Sequence, residues 1–149
     1  MSTFVLFAMR TKTPTSLENL VIQHCENLDL MSDAHAGQDV VRTGGGLRSL
    51  QFLQGSTCNT LKHIVISRCP NFTTLPDWMT EDLKSLQKLW IDNCPQLTSL
   101  PKGMHRLTTL AEIQIWRCPE LISRYQRETG EDWHEIAHIP HIYLNGIQI

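Results

Sequence analysis

No apolar run in this sequence approaches the roughly 20 residues that cross a bilayer, so a membrane span is not expected. Residues 3–9 are apolar but short and follow no basic segment, which argues against a secretory leader. Charge of one sign is also lacking. Thirteen Lys and Arg face 15 Asp and Glu, for a net charge of −2 at pH 7. Such a chain has no broad attraction for phosphate, so nucleic acid and anionic membranes are not expected as partners. Cys25, Cys58, Cys69, Cys94 and Cys118 include no C-x-x-C pair and are odd in number. That disfavours a disulfide framework or a structural zinc site and fits a reducing, cytoplasmic setting. No G-x-x-x-x-G-K-[ST] phosphate loop occurs, and no cofactor is expected. Disorder and coiled coil are excluded by composition, 41% hydrophobic with 19% charged. The 149 residues suffice for one modest domain.

What the sequence has is a repeat. Leu61-x-x-Ile64-x-Ile66-x-x-Cys69 is followed by Phe72, Leu75 and Pro76. Leu86-x-x-Leu89-x-Ile91-x-x-Cys94 is followed by Leu97, Leu100 and Pro101. Leu110-x-x-Ile113-x-Ile115-x-x-Cys118 is followed by Leu121. An earlier copy reads Leu17-x-x-Leu20-x-Ile22-x-x-Cys25, then Leu28. The starts at 61, 86 and 110 lie 25 and 24 residues apart, and Cys-Pro recurs at 69–70, 94–95 and 118–119. This is the leucine-rich-repeat pattern, whose period is about 20–29 residues. The expected fold class is therefore α/β: a right-handed solenoid with short parallel strands on its concave face. Loops and short helical turns fill the convex face.

Alternation in Leu89-Trp90-Ile91 sends the aliphatic residues to one side and the tryptophan to the other. Each cysteine is placed just past its strand, where a small thiol fits and its S–H can donate to nearby backbone. The prolines after them are expected to help end the strands. The concave positions include His63, Val65 and Ser67; Lys88, Trp90 and Asp92; and Glu112, Gln114 and Trp116. Trp90 and Trp116 lie diagonally on neighbouring strands and are the expected partner-binding anchors. Lys88, Asp92 and Glu112 are expected to set specificity, with Gln114 and His63 beside them.

Residues 1–14 do not fit the repeat and read as a remnant of a preceding one. Repeats occupy 15–123, with an irregular insertion at about 31–60 that includes Gly44, Gly45 and Gly46. Within it Leu47-x-x-Leu50-x-Phe52 restarts the pattern only 14 residues before Leu61. Residues 124–149 read as a C-terminal cap. Its polar stretch 124–133 has one aromatic anchor, and an extended segment follows at 138–144. Trp133, Ile136 and Ile139 are expected to face inward.

Three motifs could carry chemistry. His134-Glu135-Ile136-Ala137-His138 matches the H-E-x-x-H pattern of zinc peptidases, with His141 nearby. That chemistry needs a helix and a further ligand, but Pro140 follows two residues later and no Asp or Glu follows His138. Cys58 with His63 could pair a thiol with a base, and a plain loop cysteine is the simpler reading. Asn71-Phe72-Thr73 is a glycosylation sequon expected to go unused without a leader. An enzyme is not expected, and no metal site is assigned.

The repeat at 86–101 and the tail from Cys118-Pro119-Glu120-Leu121 through Gly130-Glu131-Asp132-Trp133 to Ile136-Ala137-His138-Ile139-Pro140 carry a resemblance. Over residues 15–149 the chain resembles the C-terminal repeats of plant nucleotide-binding, leucine-rich-repeat disease-resistance proteins of the coiled-coil type. The resemblance implies a recognition module in the cytoplasm. It would bind a pathogen effector, a guarded host protein or the receptor's own nucleotide-binding domain. The alternatives are a leucine-rich-repeat adaptor outside immunity and, less favoured, a metallopeptidase using the stretch from His134 to His138.

Overall fold

The computed structural model describes residues 5–10, 17–24, 58–75 and 77–149. They form an α/β protein built on one seven-stranded sheet whose strands follow chain order. The strands are β1 (Val5–Arg10), β2 (Leu17–Gln23), β3 (His63–Ser67), β4 (Lys88–Asp92), β5 (Glu112–Trp116), β6 (His141–Leu144) and β7 (Ile147–Gln148). Strands β2 to β6 pair in parallel, and the two outermost strands pair antiparallel to their neighbours. Among the described residues helix is confined to α1 (Trp78–Asp82), α2 (Pro119–Arg124), α3 (Trp133–Ile136) and tight turns at Cys58–Thr60 and Met104–Arg106. Among the described residues no helix is long and apolar enough to cross a membrane.

Strict alternation and a common register stack the strands into columns. Leu20, Ile64, Leu89, Ile113 and Ile142 face one another in sequence along the sheet, as do Ile22, Ile66, Ile91, Ile115 and Leu144. All ten are buried. Columns beyond the strands continue the core: Leu61, Leu86 and Leu110; Phe72, Leu97 and Leu121. Each fully buried aliphatic side chain contributes about 1.5–3 kcal/mol, and none could be buried by its own unit alone. Backbone groups repeat with the same period. The Lys62 carbonyl accepts from the N–H groups of Gln87 and Lys88, and the Gln87 carbonyl from those of Ala111 and Glu112.

The strands do not end at the prolines. They end at non-glycine residues in the left-handed region, His24 (φ 57°), Arg68 (φ 54°), Asn93 (φ 53°) and Arg117 (φ 51°), the last three of which stand two residues before a proline. This conformation is uncommon for residues with a Cβ. It is held because each N–H still reaches the neighbouring unit. His24 donates to the Ser67 carbonyl, Arg68 to that of Asp92, and Asn93 to that of Trp116, at 2.9–3.1 Å. At Arg117 the Asn145 side-chain oxygen takes the same place at 2.9 Å. The prolines instead start turns. Phe72 N–H donates to the Cys69 carbonyl and Leu97 N–H to that of Cys94, which puts Pro70 and Pro95 at the second position that favours proline. Pro119 opens α2, where its missing N–H is not needed.

The buried thiols sit where the repeat put them. Each donates to the carbonyl two residues back: Cys69 to Ser67 at 3.3 Å, Cys94 to Asp92 at 3.5 Å, Cys118 to Trp116 at 3.1 Å. The Cys94 N–H also donates to the Cys118 sulfur. Hydrogen bonding with the Cys118 and Cys69 thiols, together with burial, pushes the Cys94 thiol up and keeps it protonated.

The N-terminal segment differs from expectation. A remnant of a preceding repeat would add a parallel strand, but β1 runs antiparallel along β2, with Val5 opposite Gln23 and Phe7 opposite Val21. Of the irregular segment at 31–60, only the turn Cys58–Thr60 lies within the described residues; the restart at 47–52 lies outside them, as do Cys25 and Leu28.

Past Cys118 the pattern gives way to individual contacts. Tyr125 takes the place that Leu75 and Leu100 hold in earlier units, is 2% exposed, and accepts a hydrogen bond from the Leu100 N–H. The polar stretch therefore contributes a fully buried aromatic that differs from Trp133, which is only partly buried against the core. Ile136 and Ile139 are buried. Arg124 binds Asp132 at 2.7 Å and Glu131 at 3.5 Å, and the Asp132 N–H donates to the Arg124 carbonyl. Gly130 lies so close that a Cβ there would stand 2.2 Å from the Arg124 carbonyl oxygen.

Candidate functional site

Residues that alternate with the core columns form the opposite face of the sheet. Register sets them in three rows. The first runs Asn19, His63, Lys88, Glu112, His141; the second Val21, Val65, Trp90, Gln114, Tyr143; the third Gln23, Ser67, Asp92, Trp116. All seven candidate residues read from the sequence lie on this face. Among the wider set of outward positions, Ser67 differs, being only 8% exposed.

Trp90 stands in the middle row and is 44% exposed, unusual for so large an apolar side chain. Trp116 lies diagonally from it, because Trp90 pairs with Gln114 and Asp92 with Trp116. The two indoles differ in environment. Trp116 is half-buried, donates from Nε1 to the Gln114 Oε1 at 3.1 Å, and lies against the hairpin after β6. A Cβ on Gly146 would meet its ring at 2.7 Å. Asn145 (φ 48°) and Gly146 (φ 81°) both have the positive φ that a two-residue hairpin turn demands. The Asn-Gly pair was the available sequence signal for this hairpin.

The charged candidates are engaged with one another. Lys88 lies 3.5 Å from Glu112, and Glu112 accepts from the Gln114 amide at 2.8 Å. Asp92 is held by both sides of the Arg117 guanidinium, at 2.8 and 2.6 Å. That bidentate contact raises the Arg117 pKa further. Arg117 was not among the candidates; an Asp at one strand end and an Arg 25 residues later was the signal for it. His63 Nδ1 shares a 2.6 Å hydrogen bond with Asn19 Oδ1. Its suggested partner Cys58 has a side chain outside the described residues.

The histidine motif in the tail has a different geometry from a peptidase helix. Helix α3 ends at Ile136, so His134 and His138 do not share a helix. Glu135 is bound instead to His105, at 3.2 Å, tying α3 to the turn Met104–Arg106. Among the described residues no group of three His, Cys, Asp or Glu side chains is placed to hold a metal ion.

The geometry thus defines an α/β protein with a mostly parallel sheet, one face of which is core and the other a polar surface around an exposed tryptophan. A stretch of 44 residues, 30% of this chain, is 39% identical to a protein of Solanum bulbocastanum that carries the name disease resistance protein RGA4. The match spans 4% of that protein's length. No family model and no solved structure matches the chain.

Proposed function

We propose that this chain is a leucine-rich-repeat module, a right-handed solenoid that serves as the protein-recognition part of a cytoplasmic plant disease-resistance receptor. Its partner is a pathogen effector, a guarded host protein or the receptor's own nucleotide-binding domain. The module binds and does not catalyse. Two observations support the class: in-register parallel strands at the sequence period, and the short likeness to a disease resistance protein. The observation that carries recognition is Trp90, exposed at the centre of the strand face, where a tryptophan contributes nothing to the core. Large aromatics at the centre of a patch are the usual anchors of protein interfaces.

Affinity purification from plant cell extract tests this reading. Wild-type chain and Trp90→Ala are compared after circular dichroism has shown both folded. A protein retained by the first and absent from the second is the expected result. Identical partner sets would move recognition off this face.

A further inference from the structure

The strand face carries charges, but the described structure leaves little of that charge unmatched around Trp90. Lys88 is paired with Glu112, and Asp92 is gripped by Arg117. Both ends of the Gln114 amide are used, one on Glu112 and one on Trp116. A partner that brought a charge here would have to break one of these pairs or leave its own charge uncompensated, which is unfavourable on a surface being desolvated.

The middle row has the opposite character. Val21, Val65 and Trp90 stand side by side on successive strands, all at least partly exposed. At about 4.8 Å per strand they make an apolar strip about 10 Å long. Tyr143 extends the row beyond Gln114. Among the described residues the Trp90 indole N–H meets no acceptor, whereas that of Trp116 is satisfied.

We infer that this face takes an uncharged, apolar peptide segment of a protein partner, laid across the strands over Val21, Val65 and Trp90, with a carbonyl oxygen accepting from the Trp90 indole N–H. The inference rests on the recognition reading above and names the chemistry of its partner. Specificity then comes from apolar shape and one hydrogen bond. Lys88, Asp92 and Glu112 act as an internally neutralised frame that keeps charged segments away.

The probe is a library of randomised linear peptides of about eight residues, displayed on phage and selected against the folded wild-type chain; the extended length exceeds the strip. The selected sequences are then synthesised and titrated against wild type, Trp90→Ala and Lys88→Ala. The expected peptides are rich in aromatic and aliphatic residues and poor in charge. Their dissociation constants should change less than about threefold between roughly 0.05 and 0.5 M salt. They should weaken at least about tenfold with Trp90→Ala and less than about twofold with Lys88→Ala. Charged peptides that need Trp90 and weaken steeply with salt would overturn this inference and leave the recognition reading standing. Peptides indifferent to Trp90→Ala, or a selection that yields none, would overturn both.

Discussion

In residues 61–118 the core is built from columns that repeat from unit to unit. Ile66, Ile91 and Ile115 form one, Ile64, Leu89 and Ile113 another, and the three buried thiols a third. Residues 119–149 carry such columns on at Leu121, Ile142 and Leu144 but otherwise drop the repetition. There a tyrosine hydroxyl, an arginine fork, a glycine without room for a Cβ and an Asn-Gly hairpin each hold one place. Stability in the first region is distributed over equivalent contacts; in the second it depends on single groups with no neighbour of the same kind. The difference teaches where a substitution is felt as lost area and where it is felt as lost geometry.

Four measurements would sharpen or break that comparison. Leu89→Ala, in the middle of a column, should lower the unfolding free energy by about 2–5 kcal/mol through the cavity it leaves. A loss below about 1 kcal/mol in urea titration would mean the columns are not close-packed. Part of the alkaline limb should come from the second region. Burial pushes the Tyr125 hydroxyl up from its ordinary value of 10 to about 12. The unfolded chain therefore loses that proton first, and the stability linked to it, full below pH 10, is lost as pH rises from about 10 to about 12. Two pKa units correspond to about 2–3 kcal/mol. Unfolding measured across this range should show a steeper decline in wild type than in Tyr125→Phe; parallel profiles would mean Tyr125 is open to water.

Gly130→Ala should cost about 1–3 kcal/mol, because the added Cβ meets the Arg124 carbonyl and not a flexible side chain. A melting temperature equal to wild type would show that the loop yields freely. The smallest effect is expected at Trp90→Ala, within about 0.5 kcal/mol, since an exposed side chain outside the core has little to lose. A larger loss would make Trp90 part of the framework and remove the reason to look for a partner there.

Most of the first region was legible in the sequence, because period-two alternation and a 24–25 residue spacing fix both the strand and its neighbour. Ile64, Leu89 and Ile113 could be assigned to one column before any coordinate was known. The left-handed strand ends were not legible. His24, Arg68, Asn93 and Arg117 are not one residue type, and arginine, at two of the four, gives no hint of a positive φ. What they share is the N–H bond to the adjacent unit, a property of the stack that no local propensity encodes. The antiparallel course of β1 was hidden for a related reason, since alternation specifies a strand and not its direction. On the outward face, position was readable but engagement was not. Trp90 and Trp116 occupy equivalent-looking sites, yet one ring is open and the other leans on Gly146, a contact set by a hairpin 30 residues away.

The stacked thiols also make the chain its own stopwatch. Cys69, Cys94 and Cys118 are buried one to a unit, and a thiol shut away from solvent is out of reach of alkylating reagents. Each becomes reactive only when its unit parts from the next. The order in which the three sulfurs are modified, read by mass spectrometry, is therefore the order in which the stack comes undone. Fraying from the C-terminal side would mark Cys118 first, and fraying from the other side would mark Cys69.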